Sequence, residues 1–198
     1  MAERQITVDG ESRPLPSPFL LLATENPLDH EGVFPLPEAQ LDRFFLKAAL
    51  GYPQAAEELE IVRAQRHGHP LDSLAAVLDI EELRTLQRGV EDVYIDPLLQ
   101  AWVIDLVRAT RELPGVRTGA SVRGSLALER GARALALLCG RGHVEPGDVE
   151  SLVEPVLSHR LLVSHAYSLG DEVGPGQGLL ERLLERAPRP APTLLAVD

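Results

Sequence analysis

Lysine is almost absent from this chain, and its scarcity excludes one common way of binding a nucleotide. Lys47 is the only lysine among the 198 residues, and it lies between a leucine and an alanine. A P-loop requires glycines followed by Lys and then Ser or Thr, because the lysine ammonium must reach the β and γ phosphates. The sequence therefore contains no P-loop. It also lacks an apolar strand ending in Asp-Glu that could hold magnesium, since the pair Asp171-Glu172 follows a Ser-Leu-Gly segment.

Cysteine occurs once, which excludes an intramolecular disulfide. Cys139 follows the apolar residues 135–138 at the end of a predicted helix, so we expect a small core residue rather than a nucleophile. A chain without a disulfide framework suits a reducing cytoplasm. The first residues lack the basic and apolar segments of a signal sequence, and no apolar run is long enough to span a bilayer. We therefore expect a cytoplasmic protein without a membrane span.

Positive charge is outnumbered, and the formal net charge at pH 7 is −11. Such a chain repels phosphate backbones unless its basic residues cluster, and here they are dispersed. Nucleic acid is therefore not an expected partner. Two histidine pairs, His67 with His69 and His159 with His165, could each begin a metal site, but neither has an obvious third ligand. The prediction is that no metal site forms.

The first informative stretch is an apolar run, residues 19–22, that leads into Thr24 and Asn26. Its length favours a buried parallel strand over a helix. Ligands of open α/β sheets sit beyond the carboxyl ends of strands, so the amide of Asn26 is placed to contact one. The alternative is that Asn26 is a plain strand-end cap.

A second stretch places an arginine close to Asn26 in the sequence. Pro35 and Pro37 interrupt regular structure, and residues 38–45 are predicted to form one short helix that carries Arg43. Residues 44–50 are predicted to form a second apolar strand. The alternative for Arg43 is a simple ion pair with Asp42 or another nearby carboxylate.

The composition changes at Tyr52-Pro53 from strand-like to helical, and we predict a domain boundary there. Helix starts are predicted at Asp79, at Asp96-Pro97, at Ser121 and at Pro146, with an interruption at Pro155. Apolar residues recur on one face of the second of these helices, as in a bundle core; they are Leu98, Leu99, Trp102, Val103, Leu106 and Val107. Residues 53–173 are therefore predicted to form a small helical bundle, and residues 174–198 a flexible tail rich in glycine and proline.

Near the N-terminus, Asp9-Gly10 is a strong signal for a β-hairpin, because β-branched residues precede it and both turn residues tolerate positive φ. Such a hairpin is either a connector or a surface for partner contacts, and the sequence leaves both open.

Three motifs carry a resemblance to a known family. The segments Ala-Thr-Glu-Asn-Pro at 23–27 and Phe-Pro-Leu-Pro-Glu-Ala-Gln-Leu-Asp-Arg-Phe at 34–44 resemble the sensor 1 and arginine-finger segments of the MoxR family of AAA+ ATPases, typically ATQNP and YPLPEAQLDRF. Gly-Ala-Ser-Val-Arg-Gly at 119–124 is similar to that family's sensor 2 motif, GASPRA. The departures are Glu25, Phe34, Val122 and Gly124, and none of them removes Asn26, Arg43 or Arg123.

The resemblance implies a fold and an activity. Residues 1–52 would be the distal α/β part of an AAA+ core, residues 53–173 its all-α lid, and the chain as a whole predominantly helical. Asn26 would orient the attacking water, Arg43 would reach a neighbouring subunit's nucleotide, and Arg123 would sense nucleotide through lid movement. ATP and Mg²⁺ would be held mainly by elements upstream of residue 1, so the chain by itself is expected to be inactive.

The same resemblance implies partners. The whole enzyme would form a homo-oligomeric ring, a hexamer in the usual case, that remodels or matures client proteins, some of them with a von Willebrand factor A domain. The alternative is a stand-alone, catalytically silent module that joins or regulates such rings. An in-frame P-loop upstream of residue 1 would favour the enzyme, and an independent start signal would favour the module.

Overall fold

The computed structural model describes residues 5–25, 36–67, 69–164 and 178–191. Asn26 lies outside the described residues. The described part is mostly helical with a few short strands, as predicted for the chain as a whole. Its helices and strands, in chain order, are β1 (Gln5–Val8), β2 (Glu11–Pro14), α1 (Glu38–Leu41), α2 (Ala55–Ala64), α3 (Ile80–Asp92), α4 (Pro97–Ala109), β3 (Val116–Thr118), α5 (Val122–Leu138), α6 (Pro146–Leu157), β4 (Leu162–Val163) and α7 (Leu179–Leu184).

The main helices begin where capping residues predict. The Asp79 carboxylate accepts a hydrogen bond from the backbone N–H of Glu82 at 2.8 Å, and the backbone N–H of Asp79 donates one to the Glu82 carboxylate at 2.8 Å, which forms a capping box. Asp96 accepts from the N–H of Leu98 at 2.8 Å, and Ser121 accepts from the N–H of Arg123 at 3.2 Å. These side chains satisfy donors that the first turn of a helix leaves unpaired. The predicted helix starts are confirmed.

The core lies between α4, α5 and α6. The predicted apolar face of α4 is buried except for Leu98, which is 42% exposed. At the end of α4, the hydroxyl of Thr110 donates to the carbonyl of Val107 and accepts from the N–H of Ala120, so the loop that precedes α5 is fixed to the core. Pro155 does not divide α6, which continues to Leu157. The core therefore sets the position of the α5 N-terminus.

A buried ion pair joins the end of α5 to the start of α6. The Arg141 guanidinium donates to both carboxylate oxygens of Asp148, at 2.8 and 2.6 Å. Burial raises the pKa of Asp148, but the hydrogen bonds from Arg141 and from the N–H of Glu145, together with the Arg141 charge, outweigh this and hold the pKa below its ordinary value. Cys139, between these two elements, is exposed, so the prediction of a core cysteine is wrong. The α5 helix ends at Leu138, and the chain turns outward through Gly140, whose φ is 73°.

The bundle also contains a small sheet that the sequence analysis did not predict. β3 and β4 pair antiparallel, with Val116 opposite Val163 and Thr118 opposite Leu162. Segments of three and two residues are too short to give a period-2 hydrophobic pattern, so nothing in the sequence distinguishes them from loops. This pairing ties the residues after α6 to the loop before α5.

The prediction of a flexible tail over residues 174–198 is wrong for the part that the structure describes. Leu179 and Leu183 in α7 are fully buried, and Ala187 is 5% exposed. The indole N–H of Trp102 donates to the carbonyl of Ala187 at 2.9 Å, which satisfies the one polar group of that buried ring. These two leucines lie four residues apart on one face of a six-residue helix, and their burial is enough to extend the core. Residues 178–191 therefore pack on the helical bundle.

The two strands predicted in the first part of the chain are absent. Residues 19–25 and 44–50 form no strand, and their apolar side chains are largely exposed, Leu22 by 82% and Leu50 by 102%. A strand needs a neighbour to pair its backbone groups, and within the described residues β1 and β2 pair only with each other. The predicted hairpin is confirmed, since Asp9 and Gly10 have φ values of 53° and 83° between β1 and β2.

Candidate functional site

Arg43 lies in a turn rather than in a helix. The predicted helix over residues 38–45 ends at Leu41, and the N–H groups of Arg43 and Phe44 then donate to the carbonyls three residues back, each at 3.0 Å. We call residues 42–45 the Arg43 turn. The Arg43 side chain is exposed and makes no hydrogen bond or ion pair with any residue that the structure describes. The alternative prediction, an ion pair with Asp42, is therefore not seen.

Asp42 instead faces the helical bundle. Its carboxylate accepts hydrogen bonds from the Ser121 hydroxyl, at 3.0 and 3.1 Å to the two oxygens, and from Nη1 of Arg123 at 3.2 Å. Nε of Arg160 lies 3.4 Å from the same carboxylate. The Asp42 side chain is only 19% exposed, so these ionic contacts are partly protected from solvent screening. Three residues of the bundle thus hold one residue of the Arg43 turn.

Arg160 donates hydrogen bonds to the backbone of the same turn. Its side chain is 2% exposed, and it donates to the carbonyl oxygens of Phe44, Phe45 and Val156. The carbonyls of Phe44 and Phe45 would be among the last four of the predicted helix over residues 38–45, which have no partner within a helix, and here the bundle satisfies them. Burial lowers the pKa of Arg160, and the Asp42 carboxylate opposes that effect. The terminal nitrogens of the buried guanidinium donate to carbonyls, while Nε makes no hydrogen bond and lies beside the Asp42 carboxylate.

His159 completes this contact. Its Nε2 lies 2.8 Å from Nη1 of Arg160 and 3.2 Å from the carbonyl oxygen of Phe44. Nε2 can accept from the Arg160 guanidinium or donate to the Phe44 carbonyl, but one nitrogen cannot do both at once. Burial and the adjacent Arg160 charge lower the pKa of His159, and the hydrogen bond to the Phe44 carbonyl opposes them in part.

The stability of the chain should therefore depend on pH through His159. Because the pKa of His159 is lower in the folded state, the unfolded chain binds more protons below its ordinary value, and stability is lost as the pH falls. At pH values below about 6.5, we expect the free energy of unfolding to decrease as the pH falls. The decrease should be less than about 1.4 kcal/mol per pH unit, because the ring is only half-buried. Urea titrations between pH 7.5 and 5.5 measure this. His159→Gln should flatten the dependence, whereas His143→Gln, at an exposed histidine, should not; equal slopes in all three proteins would contradict the assignment.

Arg123 is the second residue of α5 and contacts the Asp42 carboxylate. Its side chain is 53% exposed, and the helix N-terminus beside it favours an anion. Val122 stands where the resemblance predicts proline, yet α5 still begins there, since the Ser121 cap supplies the start. Gly124 keeps the helix close to the core, because a Cβ at that position would lie 3.2 Å from Leu157 and 3.6 Å from Arg160.

The structure also describes Glu25, the residue before Asn26. Its carboxylate lies 3.7 Å from the ammonium of Lys47, and the N–H of Lys47 donates to the carbonyl of Pro155 at 2.8 Å. The segment that ends in Asn26 therefore approaches the segment that follows the Arg43 turn. In the described part of the chain, no group of three His, Cys, Asp and Glu side chains could hold a metal ion. No helix among the described residues is long and apolar enough to cross a membrane.

Sequence reasoning missed Asp42, His159 and Arg160 as members of the site. Asp42 was considered only as a partner of Arg43, and the spacing of more than 115 residues to His159 and Arg160 gives no local signal. The clue available was an arginine directly after the apolar face of α6, where a buried charge requires a partner from elsewhere in the chain.

Two family profiles match the chain. One describes the ATPase family associated with various cellular activities (AAA) and covers residues 1–46. The other describes the AAA lid domain and covers residues 108–173. The first includes the Arg43 turn and the second includes α5, so the contact around Asp42 joins the two matched regions.

Curated relatives and a solved structure agree with these profiles. The uncharacterized protein YeaC of Bacillus subtilis is 42% identical over 82% of this chain and 51% of its own length. Chaperone MoxR1 of Mycobacterium tuberculosis is 39% identical over 96% of this chain and 52% of its own length. A solved structure described as an ATPase from Cytophaga hutchinsonii superposes with a TM-score of 0.83 at 29% identity, over 93% of this chain and 58% of that one. The chain thus spans about half the length of the curated relatives it matches.

Proposed function

The chain belongs to the MoxR family of AAA+ ATPases, and on that premise we propose that it supplies the arginine finger and the nucleotide-sensing lid of an ATP-hydrolysing ring. The whole protein's activity is part of the proposal, because the chain covers about half of its relatives. Phosphoryl transfer needs groups that position water and neutralise charge on the γ-phosphate, and the three motif residues are of that kind.

The observation that supports this most is the state of Arg43. It is exposed and has no hydrogen-bond or ion-pair partner among the described residues, while the Asp42 side chain before it and the Phe44 carbonyl after it are held to the bundle. A guanidinium that is presented to solvent on a fixed turn is available to an anion from outside its own subunit. It can spread transition-state charge over two phosphate oxygens, which a point charge cannot do as well.

Arg123 and Asn26 would act with it. Arg123 would bind phosphate at the α5 N-terminus, where its partial exposure leaves it free to exchange Asp42 for another anion. Asn26, which lies outside the described residues, would orient the attacking water. ATP supplies the phosphoryl group, and Mg²⁺ would neutralise its β and γ oxygens. Mg²⁺ would be held mainly by other elements of the assembly, since the described residues contain no group of three His, Cys, Asp and Glu side chains that could hold a metal ion.

The wider role follows from the relatives. MoxR1 is named a chaperone, and we extend that role to this chain as remodelling or maturation of protein clients, including proteins with a von Willebrand factor A domain. The assembly would be a homo-oligomeric ring, in the usual case a hexamer, because a finger that acts on a neighbour needs a closed set of like subunits.

A mixing experiment tests the shared site. One population of the ATPase that includes this chain carries Arg43→Ala, and the other lacks the P-loop lysine, so each is silent alone. If Arg43 acts on a neighbouring subunit's nucleotide, mixed rings contain some intact interfaces, and we expect turnover to recover when the two are combined. The readout is phosphate release as a function of the mixing ratio. Mixed rings that form, as judged by mass, but remain silent would contradict the proposal.

A further inference from the structure

The segment that carries Arg43 is attached to the lid at three successive points. The Asp42 carboxylate is held at the N-terminus of α5, Arg160 holds the carbonyls of the Arg43 turn, and the N–H of Lys47 donates to the carbonyl of Pro155 in α6. The ring of Phe45 adds a packing contact, since a Cβ on Gly131 would lie 3.5 Å from its Cζ. Residues 42–47 are therefore bound to the lid helices, although residues 42–46 belong to the segment that the first family profile matches.

The two arginines that share Asp42 are not equivalent. The side chain of Arg160 is 2% exposed, whereas that of Arg123 is 53% exposed. Breaking the buried contact would leave the Arg160 charge without water or a counter-ion, but the exposed guanidinium of Arg123 can be rehydrated at little cost. A phosphate at the α5 N-terminus would thus compete with Asp42 for Arg123 and leave the contact with Arg160 in place.

We infer that Asp42 and Arg160 are positioning residues that fasten the Arg43 turn to the lid, so that Arg43 moves as one body with α5 and α6. The functional consequence depends on the proposed function: a lid movement set by nucleotide at Arg123 would displace the finger that serves a neighbouring site. Neither residue touches nucleotide in this account. Both act through the place they give to Arg43.

Hydrogen exchange on the 198-residue chain tests the attachment itself. Asp42→Ala should speed exchange of the amides of residues 43–47 by about tenfold or more, the fold-change that corresponds to losing a hydrogen bond to a charged group. Amides in α4 should keep their wild-type rates. Asp105→Ala is the matched control, because Asp105 is an exposed carboxylate on α4. Unchanged exchange of residues 43–47 in Asp42→Ala would overturn the inference, whatever the protein's activity.

Turnover in the assembled ATPase tests the consequence. Asp42→Ala should lower kcat without raising KM, because removal of Asp42 leaves Arg123 free to bind phosphate, and Asp42→Glu should restore part of the loss in kcat. In an Arg43→Ala background, Asp42→Ala should lower kcat no further, because its effect on kcat acts through Arg43. If the losses in kcat from Asp42→Ala and Arg43→Ala multiply in the double variant, the inference is overturned. If Arg43→Ala itself leaves kcat unchanged, the proposed function fails, and the exchange experiment still decides the attachment.

Discussion

Arg43→Ala is expected to lower kcat of the assembled ATPase by about a thousandfold or more, with nucleotide affinity nearly unchanged. Arginine fingers in phosphoryl transfer contribute rate factors of this order because they meet charge that develops only in the transition state. The exposed Arg43 side chain has no structural contact to lose within the described residues, so the substitution should leave the fold intact. Steady-state turnover and an independent nucleotide-binding titration separate the two effects.

Two variants make that result specific. Arg130→Ala removes an equally exposed arginine from α5 and should leave kcat unchanged. Arg43→Lys keeps the charge but loses the planar fork that spans two oxygens, so we expect it to recover only a small part of the rate. A drop in nucleotide affinity that accounts for the whole loss in Arg43→Ala would instead indicate a ground-state binding role.

Leu183→Ala is expected to lower the free energy of unfolding by about 2 to 5 kcal/mol, the usual cost of removing a fully buried leucine side chain. Leu183 is fully buried although it lies in a region whose composition predicts a flexible tail. We also expect the Trp102 indole to be less protected from solvent. Its N–H donates to the carbonyl of Ala187, which lies four residues after Leu183. Urea unfolding of the 198-residue chain followed by tryptophan fluorescence measures both.

The control for this change lies two residues away. Glu185→Ala replaces an exposed side chain and should stay within about 0.5 kcal/mol of the wild type. If Leu183→Ala were as stable as Glu185→Ala, α7 would not belong to the cooperative unit formed by α4 and α6.

The helical bundle could be predicted because its signals are local. Asp79, Asp96 and Ser121 each cap a helix within three residues of their own position, and the apolar face of α4 repeats within a single helix. Interactions of this kind involve residues that are close in the sequence, so they can be predicted from a short sequence window.

The predictions that the structure contradicts concern segments whose conformation depends on a distant part of the chain. Residues 19–22 have the composition of a strand but no strand to pair with among the described residues, so composition alone was misleading. In α7, two leucines one turn apart were too weak a pattern to outweigh the surrounding glycines and prolines. Its burial depends on a matching face of α4 and α6, which no local window contains.

The candidate site divides in the same way. Arg43 and Arg123 are found by their motifs, and their roles remain proposals. The contacts that hold Arg43, from Asp42 to Ser121, Arg123 and Arg160, connect residues about eighty or more positions apart. Such contacts follow from tertiary packing and can be read only from the structure.

A structure of the assembled ATPase with MgADP and a γ-phosphate analogue tests the central claim most directly. The account predicts that the Arg43 guanidinium lies within hydrogen-bond distance of the analogue held by a neighbouring subunit, while Asp42 still contacts Arg160 of its own chain. An Arg43 that points into its own subunit or to solvent, or an Asp42 that has left Arg160, would contradict it.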